Sequence, residues 1–198
     1  TFVELVHRVA EVLDIPFTVG GGIGSVRQVE ALLQAGADKV SINSAAVRRP
    51  ELIDELARAF GSQCIVLAVD ACPHDDGQWY VYLNGGRVAT PRRASEWARE
   101  AADRGAGEIL LTSMAHDGTK GGFALELTRV IATSVPIPVI ASGGAGTAAH
   151  FLDVFTVGMA DAALAASIFH FGEIPVPVLK KYLHEHGISI RIEQCLAG

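Results

Sequence analysis

Cysteine is scarce in this chain, and the three present, Cys64, Cys72 and Cys195, fall into no CxxC or His/Cys pattern. An odd count at irregular spacing gives no disulfide framework and points to reduced thiols in a cytoplasmic protein. Long apolar runs are missing too. None reaches the roughly 18 residues of a membrane span, so no membrane partner is expected, and the amphipathic opening "TFVELVHRVAEVL" does not read as a signal peptide. Basic charge is also in short supply: 16 Lys and Arg against 22 Asp and Glu leave a net charge of −6. That argues against nucleic acid as a partner, which needs a basic face. It leaves room for a small anionic ligand, because main-chain amides hold phosphate without side-chain charge. The seven histidines are scattered without metal-ligand spacing. No metal and no cofactor are expected.

What is present is apolar residue in bulk, 49% of 198 residues, enough to fill the core of one domain spanning 1–198. Apolar runs at 16–20, 38–43, 64–71, 108–113, 138–143 and 161–167 alternate with helical segments. Most are continuously apolar, as parallel strands covered on both faces are. Ser25 is placed to cap one helix and Gly36 to end it, while Pro50 and Gly61 bracket another. The opening helix has no evident capping residue. Strand–helix alternation predicts an α/β fold with right-handed crossovers. A doubly wound sheet satisfies the pattern, but an internal repeat favours a (β/α)8 TIM-barrel type, here with about six βα units. The segment 77–90, "GQWYVYLNGGRVAT", breaks the rhythm and predicts a hairpin turning at Asn84-Gly85. It follows directly on Asp70 and Ala71, so it is either a long loop over the active face or a decorative surface hairpin. Trp79 and Tyr80 on it either cover a bound ring or pin the hairpin down.

The repeat is visible as "IPFTVGGGIGS" (15–25) and "IPVIASGGAGT" (137–147). Pro16 matches Pro138, Gly22 matches Gly144, and Gly24 matches Gly146. With one inserted residue, Gly36 then aligns with Gly158, Asp38 with Asp161, and Asn43-Ser44 with Ala166-Ser167. Each half thus has a glycine turn after one strand and a small residue opening a helix after the next. Such a turn lets main-chain N–H groups approach a phosphate, and a helix N-terminus adds unpaired donors. Two cradles imply a ligand with phosphate at both ends. The alternative is that the glycines only permit tight turns.

Asp70 ends an apolar strand, where a carboxylate reads as a general acid or base rather than a loop cap. Asp117, on the glycine-rich stretch "HDGTKGG", can orient substrate, move a proton, or make an Asx turn with Gly118. Thr112 and Ser142 end strands and can bond a ribose or carboxamide. His116 neighbours Asp117 and can reach a ligand, whereas His184 and His186 read as solvated.

The segments "FTVGGGI", "GADKVSIN", "FGSQ", "RGAGEILLTSM", "DGTKGGF", "VIASGGAG" and "ADAALAASIFHF" together resemble the cyclase subunit of imidazole glycerol phosphate synthase. The resemblance runs the length of the chain. It implies a (β/α)8 barrel of histidine biosynthesis, fed ammonia by a separate glutaminase subunit docked at the barrel's amino-terminal face. The implied reaction is lyase and cyclase chemistry. It converts doubly phosphorylated ribulosyl formimino aminoimidazole carboxamide ribotide to imidazole glycerol phosphate and AICAR. By position, Asp70 matches the family's second catalytic aspartate. Gly22, Asn43 and Ser44 match one phosphate site, and Gly118, Gly143, Gly144, Ala166 and Ser167 the other. Thr112, Asp117 and Ser142 match polar residues around the substrate. Ala115 departs from the polar residue common there.

The family's first catalytic aspartate and a lysine lie on two βα units that would precede Thr1. The 198 residues are therefore expected to be an N-terminally truncated barrel, either a piece of a longer enzyme or a shortened one. A shortened barrel has open parallel edges, which predict self-association, binding of phosphorylated ligand, and poor turnover. The alternatives are the sister isomerase of the same pathway, which binds a two-phosphate aminoaldose, and a barrel fragment that binds phosphate without turnover. The "GTKGGF" and "FHF" segments favour the cyclase.

Overall fold

The protein's computed structural model describes residues 1–192, and Cys195 lies outside them. Along the chain, α1 (Phe2–Ala10) leads to β1 (Thr18–Gly20), α2 (Val26–Gln34), β2 (Lys39–Ile42), the short α3 (Ser44–Arg48) and α4 (Glu51–Phe60). A long β3 (Ile65–Pro73) is followed by β4 (Trp79–Leu83), β5 (Val88–Arg93) and α5 (Ala94–Asp103). The remainder is β6 (Glu108–Ser113), α6 (Leu125–Ala132), β7 (Val139–Ser142), α7 (Ala148–Thr156), β8 (Ala162–Leu164), the four-residue α8 (Ser167–His170) and α9 (Val176–Glu185).

Six strands form one parallel sheet in the order β1-β2-β3-β6-β7-β8. With helices between successive strands, this is the incomplete (β/α) barrel that the alternation predicts. The helices bury regular stripes: α4 packs Leu52, Ile53 and Leu56, each fully buried. Each such side chain contributes roughly 1.5–3 kcal/mol. Residues 109, 111 and 113 of β6 are buried under helices, while 108, 110 and 112 are half-buried on the inner face. The inner face carries polar groups at both ends, with Lys39 paired to Glu108 at the amino-terminal end and Thr112 at the carboxyl end. The strands are therefore less uniformly apolar in their setting than in their composition.

The opening helix departs from expectation. Thr1 caps α1, its Oγ1 accepting the Glu4 N–H at 3.3 Å while Glu4 reaches back to the Thr1 amine. A Thr followed three residues later by Glu is a capping box, a signal present in the first four letters. Of this helix only Val6 is buried, and Phe2 and Leu5 stay about half exposed.

The repeat is real at the level of hydrogen bonds. The Asp38 carboxylate accepts the Phe17 N–H at 2.7 Å, and the Asp38 N–H donates to the Phe17 carbonyl at 2.9 Å. In the second half Asp161 does the same with Val139, at 2.9 and 3.0 Å. Ser25 and Thr147 cap α2 and α7 equivalently. Gln28 and His150, one turn further on, accept the amides of Gly24 and Gly146 at 2.9 and 3.2 Å.

The hairpin turns where predicted and is anchored. β4 pairs antiparallel with the end of β3, Asp70 opposite Tyr82 and Cys72 opposite Tyr80. Val81 and Leu83 are buried, and Trp79 packs against the main core. Trp97 of α5 is also buried, under the Arg92 guanidinium at 4.8 Å. The aromatic that pins the hairpin is thus Trp79. Tyr80 and Tyr82, directly opposite Cys72 and Asp70, share the inner face with them.

Candidate active site at the carboxyl ends of the strands

All the predicted site residues gather at one end of the sheet. Because its strands are parallel, the segments that follow β1, β2, β3, β6, β7 and β8 emerge on the same side. Register makes the centre explicit: Asp70 lies beside Thr112, and Thr112 beside Ser142, on three adjacent strands. This polar row runs from the first cavity to the second.

The first cavity, about 490 Å³, is lined by Gly22, Asn43, Ser44, Arg48, Asp70 and Asn84 among others. The amides of Gly21, Gly22, Ser44 and Ala45 donate to no described residue. Gly22 holds φ +68 with nothing within 4 Å of an added Cβ, so its backbone faces open space. The second cavity, about 230 Å³, is lined by Asp117, Gly118, Ser142, Gly143, Gly144, Ala166 and Ser167 among others. The amides of Gly143, Gly144, Ala166 and Ser167 are likewise unused within the described residues. Gly144 is glycine for a second reason: at φ +100, a Cβ would stand 2.0 Å from the Gly122 carbonyl oxygen. The helices that open on the two cavities are only five and four residues long. Free amides, rather than a summed helix dipole, make these turns attractive to anions.

Asp70 is half-buried, and burial pushes its carboxyl pKa above the ordinary value. Asn43 Nδ2, donating to Asp70 Oδ2 at 3.0 Å, works against that rise, and the negative charge of Asp117 adds to it. A carboxyl so placed holds a proton more readily than a solvated aspartate and can return it. The same contact leaves Asn43 Oδ1 buried without a partner. Asp117 is exposed, and its carboxylate accepts no hydrogen bond from a described residue, so the Asx turn with Gly118 does not form. His116 Nδ1 stands 3.0 Å from the Ser113 hydroxyl. His184 is exposed, and His186 Nδ1 stands 2.8 Å from the Tyr182 carbonyl oxygen. Two cavity-lining residues escaped sequence reading. Arg48 and Asn84 line the first cavity from α3 and from the hairpin turn. The Asn-Gly turn signal located Asn84 in sequence, but nothing local tied it to Ser44.

Together these features define a β/α-barrel-type protein with two cavities lined by free amides and a carboxyl of raised pKa at one end of its sheet. Comparison with known proteins narrows the class. The profile of the histidine biosynthesis protein family matches residues 1–175. Imidazole glycerol phosphate synthase subunit HisF of Bacteroides fragilis is 59% identical over 191 residues, covering 96% of this chain and 76% of the relative. The subunit of the same name from Cytophaga hutchinsonii is 60% identical with the same coverage. That from Flavobacterium psychrophilum is 59% identical over 192 residues. The chain belongs to the histidine biosynthesis protein family, among relatives named HisF, and spans about three quarters of their length.

Proposed function

We propose that this chain carries the cyclase function of imidazole glycerol phosphate synthase. It would turn the doubly phosphorylated ribulosyl formimino aminoimidazole carboxamide ribotide, with ammonia, into imidazole glycerol phosphate and AICAR. The observation that carries this reading is the pairing of two free-amide cavities, one per half, with Asp70 in the row of side chains between them. A ligand with a phosphate at each end would span the row and lay its middle against Asp70, Thr112 and Ser142. Asp70 acts as one acid–base group, and Asp117 orients substrate or moves a second proton. Asn43 holds the Asp70 carboxyl in place by donating to its Oδ2 at 3.0 Å. The resemblance assigns the partner aspartate to a strand ahead of Thr1.

Ammonia would come from a glutaminase subunit at the amino-terminal face, where the Lys39–Glu108 pair stands on the inner wall. One domain over 1–198 is supported by a sheet continuous from β1 to β8. Among the described residues no helix is long and apolar enough to cross a membrane, and a biosynthetic role on small phosphorylated metabolites suits the cytoplasm. Self-association is the remaining part of the reading. Among the described residues β1 and β8 are each paired on one side only, and the apolar residues Phe2 and Leu5 of α1 are exposed. Sedimentation at rising concentration tests it, and a monomer throughout removes it.

The deciding experiment is an ammonia-dependent assay of the 198-residue chain, alone and with an aspartate-bearing βα segment supplied in trans. Weak turnover that rises on addition supports the reading. Turnover equal to that of a full-length relative refutes the two-carboxylate mechanism. Turnover of the aminoaldose instead shifts the function to the isomerase. Phosphate binding with no turnover in either setting leaves a binding fragment.

A further inference from the structure

The two cradles correspond by the repeat, yet their charges differ. Arg48 closes α3, four residues beyond Ser44, and lines the first cavity. Its Nη2 donates to Asn84 Oδ1 at 2.9 Å, a neutral acceptor, and no carboxylate among the described residues pairs with it. The repeat places Phe171 at the matching position of the second half. The cation that lines the second cavity, Lys120, is held by both oxygens of Glu173, at 2.6 and 2.8 Å. One cavity thus has on its rim a guanidinium bonded only to a neutral acceptor, with the Asp70 carboxyl engaged by Asn43 instead, and the other has a neutralised pair.

Asn84 sets the geometry. Its N–H donates to Ser44 Oγ at 3.0 Å while its side-chain oxygen receives Arg48. Ser44 therefore keeps its own hydroxyl proton free to donate into the cavity. The turn that carries Asn84 is fixed from behind. Leu83 is buried just before it, and at Gly86 just after it an added Cβ would fall 2.4 Å from Met114 Cε. A guanidinium has five N–H donors in a rigid fork, so one bond to Asn84 leaves the rest for phosphoryl oxygens.

We infer that Arg48, held by Asn84 of the hairpin turn, is the cationic ligand of the phosphoryl group in the first cradle and makes that end the stronger anion site. The inference rests on the phosphate reading of the cradles proposed above and adds to it a polarity: one end of the ligand is gripped by charge, the other by amides alone. It also gives the hairpin a task, since its turn positions the guanidinium.

Calorimetric titration of the 198-residue chain with inorganic phosphate tests this. The parent is expected to show a stronger and a weaker site. Arg48→Gln weakens the stronger about tenfold, as loss of a charge-assisted contact does, and leaves the weaker unchanged. Arg48→Lys restores part of the loss. Asn84→Asp keeps the side-chain shape but sets a carboxylate against Arg48. It weakens the same site about tenfold without lowering the unfolding temperature, which a purely structural Asn84 would not do. Two sites in the parent with identical binding in Arg48→Gln and in Asn84→Asp overturn the inference and leave the cradles intact. No phosphate binding by the parent overturns both.

Discussion

In the first half of the chain the glycine turn opens onto empty space; in the second it is roofed. Nothing approaches an added Cβ at Gly21 or Gly22. Gly144, by contrast, is crossed by the segment that follows β6, with the Gly122 N–H donating to the Gly144 carbonyl at 2.8 Å. What covers the first cradle comes from further away, the turn of the β4–β5 hairpin, and it touches Ser44 rather than the glycines. The repeat has preserved the roots of each half, namely the Asp38 and Asp161 brackets, the helix caps and the free amides. It has let the walls diverge. The bracket and caps satisfy main-chain amides at the starts of strands and helices, which otherwise lack a partner within the element. Walls can vary as long as the amides stay open.

The largest effects are expected at the row that joins the two cavities. Asp70→Asn should lower turnover by about 10²–10⁴-fold, the usual worth of a positioned acid–base group. The same change should slightly stabilise the fold near neutral pH. Because burial and Asp117 raise the folded pKa of Asp70, the folded chain binds that proton more tightly than the unfolded one. The resulting cost is absent below the unfolded pKa and grows as pH rises through the folded value. Asp70→Asn should therefore melt about 1–3 °C above the parent at pH 7, and with it near pH 3. Thermal melts across pH check this, and a variant less stable than its parent at pH 7 refutes the burial account.

Next comes the contrast between the glycine turns. Gly144→Ala forces a methyl against the Gly122 carbonyl at a left-handed φ, and should destabilise by about 3 kcal/mol or more. Gly22→Ala meets only the backbone penalty, about 1 kcal/mol. Urea unfolding of the two variants measures the difference directly. Equal losses would mean that the roof over Gly144 is loose.

Much of this was legible in the letters. Glycines, prolines and apolar runs located six strands and their helices, because turn chemistry and burial act locally. The match of Asn43-Ser44 with Ala166-Ser167 marked two turns whose amides are free of described partners. What escaped was set by distance in the chain. Arg48 and Asn84 are 36 positions apart, and no local pattern tells that a hairpin leaving β3 folds back over the start of α3. Nor does local pattern show that the Asp117 carboxylate is free of an Asx turn, or that Tyr80 rather than Trp79 faces inward. The first depends on how the loop after β6 settles, and the second on register, which one residue of slip inverts. The missed cap at Thr1 is different: its Thr and Glu stood in plain view at the right spacing.

The smallest expected effect is the most pointed test of why the cradles differ. Lys120 and Glu173 are each more than a third exposed, so their bond contributes little to stability, about 0–1 kcal/mol. Its consequence is electrostatic: it cancels the Lys120 charge, the one cation that lines the second cavity among the described residues. Glu173→Gln should leave the unfolding temperature nearly unchanged and strengthen phosphate binding at the weaker site by about two- to threefold at low salt. The gain should vanish near 1 M salt, where screening acts within about 3 Å. If the weaker site gains nothing at low salt, Lys120 stands too far from the anion to matter. The difference between the cradles would then lie in Arg48 alone.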